Sequence, residues 1–138
     1  MRSQAGTVWG KVYFKVGDQF FPDHDWTDMV VAFSSAWLEA LIRIANRSTK
    51  RETVWFLDGP FSISLFAASE HVLEISFLHK DAMKHSTNEL IGDLLEDAVS
   101  NGKQLLNLSQ QKDWLDHDTE TLQIATEKAS ALLRRDLN

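Results

Sequence analysis

Apolar and polar side chains alternate near the start of the chain, where Val8, Val12, Phe14 and Val16 are interleaved with Lys11, Tyr13 and Lys15. A period of two is the signature of a half-buried strand. Gly17-Asp18 supplies a tight turn into a second strand over Gln19-Phe20-Phe21, and Pro22 cannot continue a central ladder. From Trp26 the spacing becomes helical, with Asp23 or Asp25 placed to cap the helix. Trp26, Met29, Val30, Phe33, Trp37, Ala40, Leu41 and Ile44 form one broad apolar face that reaches to about Ala45. A second stripe of Val31, Leu38 and Ile42 leaves mainly Asp28, Ser35, Glu39 and Arg43 for water. Such a helix is either covered on both sides by the sheet and a later helix, or it offers the second stripe to a partner.

After a polar loop over Arg47 to Glu52, the chain returns to strand patterns at Thr53–Leu57, Phe61–Ala67 and His71–Leu78. The Asp58-Gly59-Pro60 step is a turn signal, and the three segments predict an antiparallel meander. Ser86-Thr87-Asn88-Glu89 matches a capping box, which predicts a helix from Leu90 to about Leu108. Its wheel gathers Leu90, Ile91, Leu94, Leu95, Ala98, Val99, Gly102, Leu105 and Leu106 on one half, with Glu89, Asp93, Glu96 and Asp97 opposite. Trp114 and an acidic segment from Asp113 to Glu120 lead into a last helix containing Leu122, Ala125, Ala129, Leu132, Leu133 and Leu137. The predicted order is β-β-α-β-β-β-α-α, an α+β fold in which helices cover an antiparallel sheet of about four to five strands.

No linker or repeat interrupts the 138 residues, so the reading is one domain over 1–138, with residues 1–6 flexible. A chain of this length buries roughly 68–70% of its unfolded surface and supports one core. There are no cysteines, so stability rests on packing and thiolate metal sites are excluded. No apolar run approaches the ~18 residues of a membrane span. The first residues hold no apolar stretch of the secretory kind, and a cytoplasmic location is expected. The net charge of −6 is uneven: residues 1–80 carry 9 acids and 8 bases, and residues 81–138 carry 11 acids and 6 bases. Phosphate backbones require clustered bases, so this distribution argues against nucleic acid and for a basic partner.

Chemistry finds few footholds. Asp23-His24-Asp25 with Asp28 matches neither zinc nor calcium spacing, and aspartates at a helix start serve as caps. His79-Lys80-Asp81 with His85 reads as a polar loop. Glu96 and Asp97 cannot face each other on a helix, and Ser62 and Ser64 lie on a strand without a nucleophile elbow. No glycine-rich loop precedes a helix. No catalytic residue, metal or cofactor is therefore expected. The aromatic residues read mostly as core, with Trp9 and Trp114 the most exposed of the tryptophans.

Tyr13-Phe14, Phe20-Phe21-Pro22, Trp26-Thr27-Asp28, Trp37-Leu38, Phe56-Leu57-Asp58-Gly59-Pro60-Phe61 and the C-terminal helix pair resemble a family of small bacterial proteins, some of them labelled immunity proteins of polymorphic toxin systems. The resemblance spans most of the chain and implies a cytoplasmic protein that neutralises a cognate toxin by binding it. An acidic surface covering a basic toxin site fits that role, with charge complementarity raising the rate of encounter. The expected contacts are Glu89, Asp93, Glu96 and Asp97, with Asp113, Asp116, Asp118 and Glu120 as a second acidic group. The competing reading is a homodimer joined through the Val31, Leu38, Ile42 stripe or an open sheet edge. A small-ligand pocket between helix and sheet, reaching His79 or His85, is a third.

Overall fold

The computed structural model describes residues 10–112 and 117–136. Trp9, Trp114, Asp113, Asp116 and residues 1–6 lie outside the described residues. Among the described residues eight strands and three helices follow one another: β1 (Gly10–Lys11), β2 (Phe14–Val16), β3 (Gln19–Phe21), β4 (Thr27–Asp28), α1 (Val30–Ala45), β5 (Arg51–Trp55), β6 (Phe61–Ala67), β7 (Val72–His79), β8 (Ala82–Leu90), α2 (Ile91–Lys112) and α3 (His117–Asp136). The fold is α+β, with antiparallel pairs β1–β4 and β2–β3 and a four-stranded antiparallel sheet in the order β5-β6-β7-β8.

Two faces of the large sheet follow from its register. Val54, Ile63, Phe77 and His85 stand side by side, as do Glu52, Leu65, Ile75 and Thr87. The apolar members of these rows are buried, and this inner face joins the core residues of the three helices. Helix α1 packs against α2, α3 and β5, and α2 packs against α3. Gly102 marks a close crossing of α2 with α3 and α1: a Cβ there would lie 2.6 Å from Thr126 Oγ1 and 3.5 Å from Leu38 Cδ1. The β2–β3 hairpin turns through Gly17 at φ 61° and lays Phe14 on the core. The Phe14 ring centroid lies 5.1 Å from Trp37 and 5.8 Å from Phe77, which ties hairpin, helix and sheet together.

Four expectations are corrected, and one open alternative is closed. The first strand breaks at Val12-Tyr13 into β1 and β2, and β1 pairs with a strand at Thr27-Asp28. The first helix therefore starts at Val30 rather than Trp26. Asp28 and Ser35 do not face water; both are buried. Ser86-Thr87-Asn88-Glu89 is not a capping box: it belongs to β8, a fourth strand of the sheet, so Glu89 sits on a strand and not on the acidic face of α2. The Ile91 N–H, one of the four donors without an intrahelical acceptor at the start of α2, donates to the His71 carbonyl at 2.8 Å. Finally, the Val31, Leu38, Ile42 stripe is covered: Val31 and Leu38 are buried and Ile42 packs partly buried against the core, which removes this stripe as a dimer contact.

Candidate interaction surfaces

Asp93, Glu96 and Asp97 occupy the first two turns of α2 and are all exposed. Among the described residues none of the three is paired with a base. Three acids elsewhere are engaged: Glu52 accepts from Arg43 at 2.7 Å, Glu70 accepts from Arg47 at 2.6 Å, and Asp25 lies 3.5 Å from Lys11. Asp93 in the first turn complements the helix dipole, but that effect fades beyond one turn and does not account for Glu96 and Asp97. Asp93 and Asp97 are also four residues apart, a like-charge spacing that costs a helix roughly 0.2–0.5 kcal/mol.

The acids do not form one patch. Asp118 and Glu120 lie in the first turn of α3, beyond the far end of α2. Gly102 of α2 lies against Thr126 of α3, six residues on from Glu120, so helical rise sets Asp97 and Glu120 about 16 Å apart along the helix pair. Glu89 stands apart from both, on β8, where its carboxylate accepts from Thr87 Oγ1 at 3.1 Å. Asp113 and Asp116 lie outside the described residues.

A second surface escaped the sequence reading. The outer face of the large sheet carries Trp55, Ser62, Leu78 and Met83 in one cross-strand row, Thr53, Ser64, Ser76 and Ser86 in the next, and Arg51, Phe66, Glu74 and Asn88 in a third. Among the described residues no helix lies on it. Trp55 is 51% exposed and Met83 63% exposed. The Arg51 guanidinium sits over the Phe66 ring, 4.2 Å from its centroid. The signal was present in Ser62-Ile63-Ser64 and Leu73-Glu74-Ile75-Ser76, whose alternation marks a sheet with one dry face. It needed β8 to complete the rows.

An apolar cleft of about 390 Å³ opens between the β1–β2 segment and helices α1 and α2, lined by Phe14, Phe33, Trp37 and Leu105 with Lys11, Asn101 and Gln104 at its polar positions. His79 and His85 do not reach it. His79 stacks on Phe61 at 4.8 Å between centroids, and His85 meets the ring of Phe21 edge to face. Lys80 and Asp81 both have positive φ and form the two-residue turn of the β7–β8 hairpin. In the Asp23–Asp25 segment, Asp23 Oδ1 accepts the His24 N–H and His24 lies 3.3 Å from Asp25. Among the described residues no group of three or more His, Cys, Asp or Glu side chains is gathered to hold a metal ion.

Asp28 is fully buried, and its role is structural. Its Oδ1 accepts the Met29 N–H at 2.7 Å, and its Oδ2 accepts Trp26 Nε1–H at 3.2 Å and the Asp58 N–H at 3.3 Å. Met29 itself offers α1 no side-chain cap and the first turn holds no acid, so this carboxylate supplies the negative charge at the helix start. Among the described residues no helix is long and apolar enough to cross a membrane. Comparison with protein-family profiles, curated proteins and solved structures gave no match to this chain.

Proposed function

We propose that the chain is a non-enzymatic binding protein of the bacterial cytoplasm, an immunity protein that neutralises a cognate toxin by direct contact. The observation that supports this reading is the exposed, unpaired set Asp93, Glu96 and Asp97 on a helix fixed to a rigid core. Two of these acids lie beyond the reach of the helix dipole and one pair repels itself, so helix stability does not explain them. A basic site on a toxin does: each acid gains a counter-charge on binding, and encounter is steered by the field. Asp118 and Glu120 stand too far along the helix pair to join the same small contact, and they serve the dipole of α3.

The test is a pull-down with the tagged protein from cells expressing their toxin-delivery loci, with bound chains identified by mass spectrometry. The expected catch is a stoichiometric basic polypeptide whose binding is lost when Asp93, Glu96 and Asp97 are together changed to Lys. Undiminished binding by a folded triple variant removes the acidic helix as the contact. Failure to recover any polypeptide under those conditions removes the toxin reading.

A further inference from the structure

We infer that the cleft between the β1–β2 segment and helices α1 and α2 is a binding site for a small carboxylic acid with a flat apolar body. Phe33 and Trp37 of α1 and Ala98, Asn101 and Leu105 of α2 line it at helical spacing, so the cleft is a seam between two helix faces. Such a seam closes when both faces carry large apolar side chains, and α2 instead offers a methyl group at Ala98 and an amide at Asn101. The space left is about 390 Å³, within the range of small-molecule sites. Its floor is apolar and already fixed. Phe33, Trp37 and Ala98 are buried, and the Phe14 ring lies 5.1 Å from Trp37 and 6.2 Å from Phe33 between centroids. Contacts of the same ring with Phe56 and Phe77 hold it from behind, so a ligand meets rings that need no rearrangement.

The rim selects the ligand. Lys11, Asn101 and Gln104 are exposed at the mouth, and among the described residues Lys11 is the one charged side chain in the lining. No described carboxylate lines the cleft, in a chain with 20 acids against 14 bases. The Lys11 ammonium lies 3.5 Å from Asp25, outside the lining, which engages one of its three N–H donors and leaves two. The amides of Asn101 and Gln104 add further donors across the mouth. A carboxylate therefore meets a counter-charge and hydrogen-bond donors while its apolar body reaches the rings, and an ammonium ligand meets a like charge. At a water's share of about 30 Å³, the volume corresponds to roughly 13 such units, about the size of a two-ring carboxylic acid. Asp93, Glu96 and Asp97 do not line the cleft, and the inference does not rest on the toxin reading.

The experiment is a titration of the isotope-labelled full chain with naphthoate, followed by amide NMR, with naphthamide as the uncharged probe of the same shape. The expected result is saturable shifts at the Trp37 indole and the Asn101 and Gln104 side-chain amides, with a dissociation constant below about 1 mM. Lys11 is 65% exposed, so its charge should favour naphthoate over naphthamide by roughly threefold, the size of an exposed ion pair. Lys11→Gln should erase that preference and leave naphthamide binding unchanged. Leu105→Trp, which fills the cleft, should abolish binding of both probes; if its spectrum shows an unfolded chain, Leu108→Trp at the exposed rim takes its place. Absence of saturable shifts up to the solubility of naphthoate overturns the inference, and so do shifts confined to other surfaces. Equal affinity for the two probes in the unmodified chain overturns the choice of a carboxylic acid.

Discussion

Replacing Asp28 by Asn changes one atom of a fully buried side chain, and the structure sets what that change costs. The carboxylate accepts three N–H groups, from Met29, Trp26 and Asp58. An amide keeps one acceptor oxygen and turns the other into a donor, so either the Met29 N–H or both of the others must face an NH2 group. Each buried donor left without an acceptor costs about 1–3 kcal/mol, and the bonds that survive lose their charge. The expected loss is about 2–5 kcal/mol, a large share of the 5–15 kcal/mol typical of a domain. Urea unfolding reads it directly: at a slope of about 2 kcal/mol per molar, the midpoint falls by roughly 1–2.5 M. Trp26→Phe removes one of the donors while keeping a ring against Phe61. Its cost should be smaller in the Asp28→Asn background than alone. A midpoint shift worth under about 1 kcal/mol would show that the carboxylate is dispensable, and the account of how α1 is anchored would be wrong.

Gly102→Ala puts a methyl group against Thr126, whose hydroxyl donates to the Leu122 carbonyl at 2.7 Å, and should destabilise by about 1–3 kcal/mol in thermal unfolding; adding Thr126→Ala should recover part of that loss. Lys80→Asn with Asp81→Gly suits the positive φ of the β7–β8 turn and should stabilise by about 1 kcal/mol, measured as a rise in melting temperature. The Arg43 hydrogen bond holds the Glu52 carboxyl below its ordinary range, against the opposing effect of burial. A lowered folded value means the contribution is complete above the ordinary carboxylate range and is lost as pH falls through the folded value. Glu52→Gln should therefore flatten the acid side of the stability–pH curve, and an unchanged curve would mean the pair is not linked to folding.

Legibility in the sequence tracked how far each element is decided by its own neighbours. β6 was read at its observed ends, Phe61 to Ala67, because the Asp58-Gly59-Pro60 turn and the alternation after it are local. The end of α1 at Ala45 was also local. Its start was not: Trp26 and Asp28 fit a helical wheel, yet the pairing of Gly10 with Asp28 and the burial of the carboxylate come from segments far apart in sequence. The same holds for β8. Ser86 to Glu89 carries the right letters for a helix cap, and only the ladder with β7 reveals a strand. The acids Asp93, Glu96 and Asp97 were legible as a helix face, but their separation from Asp118 and Glu120 depends on where α2 ends. The outer sheet face stayed hidden because its rows draw one residue from each of four strands.

The passage from β8 into α2 takes place across a single peptide bond, Leu90 to Ile91, with the first helical N–H held by the His71 carbonyl. No loop stands between the sheet and the first turns of that helix, so there is no slack to remove. A surface carried on a loop loses conformational entropy when a partner fixes it, and that loss subtracts from affinity. Asp93, Glu96 and Asp97 have their backbone ordered before any encounter. Whatever meets them has only their side-chain rotamers left to restrict.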